Sequence, residues 1–271
     1  VIRLGQNFLA DPNLLDAIVR DAELAPTDVV LEVGAGEGVL TERLASATTF
    51  RCSRSVNTSE KEQRSGFVHA VEIDRGLELA LARVAARPNV SLHWGDAMKL
   101  DLAGLDPAPT ALVANLPYSI ATPLLLRSIE ELPSVDRWTV MVQREIADRL
   151  RAASGSRTYG APSVLVQLAC EVKLLRTVDP AVFRPRPRVE SAILRLRRTG
   201  PGADLATREL VRAAFAHRRK SLARSAEHVR PGSVEAVRAG LRELGLSEDA
   251  RAEALAPEHF AALAARLQAS D

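Results

Sequence analysis

The chain has 271 residues, 46% of them hydrophobic, with a formal net charge of only +2; that is enough for one large domain, or a medium and a small one, around a sizeable core. No run approaches the roughly 18–20 uninterrupted apolar residues of a membrane helix, and two cysteines, Cys52 and Cys170, provide no disulfide framework. The five histidines (His69, His93, His217, His228, His259) never fall at metal-ligand spacing, so no structural metal is expected.

The opening, "VIRLGQNFL", has no apolar core of the secretory type. It begins so abruptly at a motif that a short basic leader is expected to be missing. A reduced, cytoplasmic setting follows from the cysteine usage. "NLLDAIVRDAEL" (13–24) then has helical apolar spacing. "DVVLEVGAGEGVLTERLA" reads as a buried strand, a glycine turn and a helix, and "VHAVEIDRGLELALARV" repeats that plan. "NVSLHWGDAMKL" is a third strand, "TALVANLPYSI" a fourth, and "WTVMVQREIADRL" a fifth followed by a helix. Alternating strands and helices imply right-handed crossovers and a mostly parallel sheet.

Residues 46–67 interrupt this pattern. They are polar, Ser/Thr/Arg-rich and without periodicity, and much longer than the ~2–6 residues usual between helix and strand. A flexible surface insertion is expected, at the sheet end opposite the usual ligand crevice. Past residue 151 come a loop, a helix running into a strand (163–175), a proline-rich bend and a strand from 189 to about 196. "TGPGADLA" reads as a linker, and helical spacing fills the rest. The expected domains are therefore 1–199, α/β, and 200–271, small and all-α. Between residues 184 and 230 stand 13 Lys/Arg against 4 Asp/Glu. Such a block attracts polyphosphate, or is simply a solvated surface.

Chemistry concentrates at the strand ends. "EVGAGEG" (32–38) lets the backbone turn sharply and approach a ligand; alone, Gly34 and Gly36 serve NAD, FAD, S-adenosylmethionine or an ordinary tight turn. Glu72 ends the second strand, where a carboxylate accepts from both hydroxyls of an unphosphorylated ribose; the alternative is a solvated Glu72 beside a helix cap at Asp74. Asp96, in "GDAM", can accept from an adenine amine, with Met98 or nearby apolar groups over the ring, or can form a turn. Together these signals favour adenosine without phosphate, for which S-adenosylmethionine is the natural candidate.

The fourth strand stops at Asn115 in "NLPY". An exocyclic aromatic amine is a poor nucleophile because its lone pair is delocalised. The Asn115 side-chain oxygen can accept one of its N–H groups, and the carbonyl of Leu116 or Pro117 the other. Two acceptors on one side favour a pyramidal nitrogen, with its lone pair aimed at the methyl donor. Pro117 restricts the turn, and Tyr118 can stack on the base, worth about 1–3 kcal/mol. The competing reading is a β-turn with a buried tyrosine.

The segments "LGQNFL", "EVGAGEGVLT", "VEID", "GDAM", "NLPYSIATPLL", "FRPRPRVESAILRL" and "AFAHRRKSLARS" stand in the order seen in ribosomal RNA adenine N6-dimethyltransferases. The chain resembles that family over nearly its whole length outside the insertion, and most of all its small-subunit type. The resemblance implies a Rossmann-like S-adenosylmethionine-dependent methyltransferase sheet with a small all-α C-terminal domain. It implies a cytoplasmic, monomeric enzyme acting on 16S rRNA in a pre-30S particle, dimethylating two adjacent adenosines of a 3′-terminal hairpin loop. Cofactor contacts are implied at Asn7, Leu9, Gly34, Gly36, Glu72, Asp96 and Asn115. The catalytic motif would be Asn115, Leu116, Pro117 and Tyr118, with Phe183 closing on the target base from the other face; ordinary core packing is the alternative for Phe183. Arg218, Arg219 and Lys220 are implied RNA contacts, or else a solvated helix face. Ser119 departs from the commoner amide at its position. Competing readings are a 23S rRNA adenine methyltransferase of the macrolide-resistance type, a non-catalytic RNA-binding assembly factor, and methylation of DNA adenine or a protein amide, which Leu116 disfavours.

Overall fold

The computed structural model describes residues 7–9, 11–49 and 66–269. Most of the expected insertion, residues 50–65 with Cys52, lies outside the described residues, as do residues 1–6. Of the remainder of that segment, residues 46 and 47 end α2 (Val39–Ala47) and residue 67 opens β3 (Phe67–Glu72).

Two compact units emerge, Val1–Arg144 with Lys173–Arg197, and Glu145–Val172 with Arg198–Asp271. The first begins with a short strand, β1 (Phe8–Leu9), and helix α1 (Pro12–Asp21), whose N-terminus Asp11 caps by accepting from Asn13 N at 2.8 Å. Then follow β2 (Val29–Val33), α2, β3, α3 (Glu78–Ala85), β4 (Val90–Trp94), β5 (Ala111–Asn115), α4 (Ala121–Glu131) and β6 (Arg137–Gln143). Helices α5 (Arg144–Leu150) and α6 (Ala161–Gln167) precede β7 (Cys170–Val178), β8 (Phe183–Arg184) and β9 (Ser191–Arg198).

The sheet order is β4-β3-β2-β5-β6-β9-β7. The five strands from β4 to β6 pair in parallel, and β9 runs antiparallel to β6. Every residue of β2, "VVLEV", is buried, as a parallel strand covered on both faces requires. The chain leaves β2 towards β3 and β4, then returns to place β5 on the other side of β2. That reversal opens a crevice at the carboxyl ends of β2 and β5, where open α/β sheets bind ligands.

In the second unit α5 and α6 join α7 (Leu205–Ala216), α8 (Leu222–Ala226), α9 (Val234–Glu243) and α10 (Pro257–Gln268). The boundary expected after residue 199 therefore differs, because residues 145–172 cluster with the C-terminal helices. Tyr159, fully buried, donates its hydroxyl to Leu255 O at 2.9 Å, and its ring meets Phe215 edge-on. Such contacts between residues far apart in sequence leave no trace in local periodicity. Among the described residues, no helix is long and apolar enough to cross a membrane.

On β3 and β4, His69 and His93 form a directional pair. His69 Nε2 lies 2.9 Å from Pro107 O, and its Nδ1 lies 3.0 Å from His93 Nε2. A carbonyl only accepts, so His69 carries its proton on Nε2, and His93 donates to Nδ1. Burial pushes both imidazoles below 6.5. The unfolded chain therefore binds more protons below that pH, and stability falls on acidification. Urea midpoints at pH 5.5 and 7.5 check this: the wild type loses stability at the lower pH, and His69→Gln shows a shallower loss.

Candidate active site

A cavity of about 310 Å³ opens at the carboxyl ends of β2, β3, β4 and β5. It gathers Gly34 and Gly36 from the first turn, Glu72 from the end of β3, Asp96 after β4, and Asn115, Leu116, Pro117 and Tyr118 after β5. Asn7 and Leu9 also line it. Four acidic residues line this space (Glu32, Glu37, Glu72 and Asp96), and among the described residues no lysine or arginine does. That polarity suits a ligand with positive charge and an unphosphorylated ribose, and it opposes a diphosphate.

The glycine turn is held by its neighbours. Gly34 has φ +82°, and a Cβ there would sit 3.3 Å from the Pro117 ring, so the two turns approach through the missing side chain. Gly36 has φ +57°, and its Cβ would meet the Phe8 ring at 3.2 Å. Glu72 is 4% exposed and accepts from three amides: Gly36 N at 2.8 Å, and Ile73 N and Asp74 N at 2.9 Å each. These donors fix its orientation; a carboxylate has about four acceptor positions, so capacity remains for a ligand hydroxyl. Asp96 lines the cavity and forms a turn as well, accepting from Met98 N at 2.9 Å. The apolar cover beside it comes from Ala97 and Ile73, not from Met98. Arg127, on α4, donates to Ala97 O at 2.6 Å and Leu100 O at 2.9 Å, which ties the Asp96 loop to the helix following "NLPY".

Asn115 Nδ2 reaches Asn7 O at 3.4 Å, leaving Oδ1 as the acceptor. Pro117 O already accepts from Ile120 N at 3.1 Å, whereas Leu116 O has no partner among the described residues. Of the two carbonyls that the sequence left open, Leu116 O has both lone pairs to offer and Pro117 O one. Tyr118 holds its hydroxyl 2.7 Å from Ser191 Oγ on β9. Burial raises that phenol above its ordinary range, so it stays protonated at neutral pH and fixes the ring.

Phe183 departs from expectation. It is 2% exposed, pairs with Leu9 in the β1–β8 ladder, and packs in a core cluster with Leu15, Val178 and Ile193. It does not line the cavity, because the ladder turns its ring into that core. Arg218, Arg219 and Lys220 lie in the second unit, exposed. Arg218 pairs with Glu253 at 2.8 Å, and among the described residues no ion pair engages Arg219 or Lys220.

Glu32 does not stand out in the sequence. It is 1% exposed, and burial, with Glu72 nearby, pushes its carboxyl up to about 8. One of its two oxygens, Oε2, makes no hydrogen bond among the described residues, and the Thr41 hydroxyl beside it acts against the rise. A buried carboxyl at the cavity with one oxygen unpartnered fits a cationic ligand group, and it supports the fit of S-adenosylmethionine to these residues. A carboxylate inside the apolar run "VVLEV" was the available signal.

The ribosomal RNA adenine dimethylase model matches residues 2–269. The chain belongs to the ribosomal RNA adenine dimethylase family. It is an S-adenosylmethionine-dependent enzyme that methylates adenine in ribosomal RNA. Curated relatives named "Ribosomal RNA small subunit methyltransferase A" include one from Rubrobacter xylanophilus, 45% identical, covering 98% of this chain and 94% of that protein. One from Streptomyces griseus is 45% identical, covering 96% and 87%. Among solved structures, a dimethyladenosine transferase from Plasmodium falciparum has a similar fold, with TM-score 0.75 at 24% identity over 94% of this dimethylase and 95% of that chain. The 23S rRNA methyltransferase ErmE superposes at TM-score 0.67 with 27% identity, covering 97% and 100%.

Proposed function

We propose that this enzyme dimethylates N6 of two adjacent adenosines in a 3′-terminal hairpin loop of 16S rRNA, acting as a cytoplasmic monomer on a pre-30S particle. The observation that carries the reading is the meeting of Asn115 and Tyr118 with Gly34, Glu72 and Asp96 at one cavity. The names of the small-subunit relatives at 45% identity favour it over the 23S alternative.

S-adenosylmethionine supplies a methyl group activated by cationic sulfur. Glu72 receives a ribose hydroxyl, Asp96 the adenine amine, and Glu32 the remote cationic end. Asn115 Oδ1 and Leu116 O each accept one N–H of the target adenine, which localises the lone pair on nitrogen. Tyr118 stacks on the base. With the donor bound, the N6–methyl bond would form as the sulfur–methyl bond breaks, S-adenosylhomocysteine would leave, and the proton lost from N6 would pass to water, so positioning and electrostatics would do the work without a strong base. The target must leave its stack, which costs a few kcal/mol and least in a loop.

Methyl incorporation into purified 16S rRNA particles, 23S rRNA, DNA and protein, with the modified nucleotides mapped, tests the reading. Labelling of 23S rRNA alone refutes the small-subunit assignment, and the absence of S-adenosylmethionine binding by calorimetry refutes the enzyme. For the ring, Tyr118→Phe keeps the stack and removes one hydrogen bond of about 1 kcal/mol. Its kcat/KM is expected to fall less than about tenfold.

A further inference from the structure

We propose that the loop 184–190 is a phosphate rail, holding the RNA backbone beside the adenosine that enters the cavity. The inference rests on the proposed rRNA activity and assigns part of its substrate-binding surface. Both ends of the loop are fastened to residues lining the cavity. At one end Arg184 pairs with Phe8 in the β1–β8 ladder. At the other, Ser191 holds the Tyr118 hydroxyl at 2.7 Å, and Glu190 O accepts from Arg144 N at 2.9 Å. Arg188 stands three residues before Ser191, within about 11 Å of chain, so its long side chain reaches the surroundings of a base stacked on Tyr118.

The charges of this loop are available to a ligand. Arg184, Arg186 and Arg188 are all exposed. Arg186 approaches Asp179 at 3.7 Å, with both side chains about two-thirds exposed, a contact of little strength. Among the described residues no ion pair engages Arg184 or Arg188. Elsewhere in the same unit Arg43, Arg127, Arg137, Arg176 and Arg195 are each committed to a carboxylate. Pro185 and Pro187 restrict the intervening backbone, which lowers the ordering cost of presenting the arginines. The chemistry of the two surfaces is also divided by sign. The cavity is acidic and repels phosphate, while this edge is basic and attracts it. A polyanionic strand is thereby held at the rim while a neutral base passes inward.

The test is the triple variant Arg184→Gln/Arg186→Gln/Arg188→Gln, assayed on small-subunit particles that lack the modification. S-adenosylmethionine affinity and kcat at saturating particles are expected to stay within about threefold of wild type, while the particle KM rises on the order of tenfold or more at 0.1 M salt. The slope of log KM against log salt is expected to flatten by about 2, at ~0.7 for each single-strand phosphate that the variant no longer neutralises. An unchanged KM and slope overturn the rail and leave the rRNA activity standing. A raised KM on particles with unaltered binding of a naked hairpin RNA, read by fluorescence anisotropy, assigns the loop to a ribosomal protein and also overturns it. Failure of the wild type to methylate the particles removes the underlying reading instead.

Discussion

Asn115→Ala is expected to bind S-adenosylmethionine within a few-fold of wild type and to slow methyl transfer by about 10²–10³-fold, on the scale of removing a preorganised transition-state contact. The separation follows from geometry. The Asn115 amide gives only a long 3.4 Å contact to the Asn7 carbonyl, so its removal costs the cofactor side little. Its oxygen is one of two acceptors for the target amine, and Leu116 O alone cannot orient two N–H groups. Single-turnover transfer to unmethylated particles, beside calorimetric cofactor titration, measures both sides. Undiminished transfer would remove Asn115 from the mechanism. A matching loss of cofactor affinity would make it a binding residue only.

Glu32→Gln is expected to weaken S-adenosylmethionine by ~2 kcal/mol or more, at least about 30-fold, because one partner of a buried charge pair is removed. The wild type also carries a proton signature. Its carboxyl, pushed up to about 8, is protonated at neutral pH and must ionise to meet a cation. Binding at pH 7 therefore releases close to one proton, and affinity rises about tenfold per pH unit until about pH 8. Calorimetry between pH 6 and 7.5, in buffers of different ionisation enthalpy, reads the proton count. That range stays below the α-amino titration of the ligand itself. Glu32→Gln is expected to release none and to show a flat profile; a wild type that releases no proton contradicts the assignment.

Glu32 and Phe183 show where local sequence falls short. A carboxylate at a strand end is legible when turns surround it, as at Glu72 and Asp96, because such a position has no other apolar duty. Glu32 sits two residues before Gly34, inside a run that periodicity assigns to the core. Only the packing of α2 and β3 around it reveals that it is buried with one oxygen unpartnered. Phe183 matched a motif, yet one two-residue ladder decides which way its ring points, and no pattern of neighbouring residues encodes that direction. The carbonyls of Leu116 and Pro117 differ by one turn hydrogen bond from Ile120, a local choice of turn geometry that residue types alone left open.

The order of strands and helices, the glycine turn, the acidic strand ends and the "NLPY" corner were determined by the sequence alone, because each depends on chain stiffness, hydrophobic period and residue type within a few positions. Where the Phe183 ring rests, that Glu32 is buried with one oxygen unpartnered, and that residues 145–172 cluster with the C-terminal helices were decided only by tertiary structure. Those properties depend largely on contacts between segments tens to more than a hundred residues apart, and their energies exist only once the chain has closed on itself.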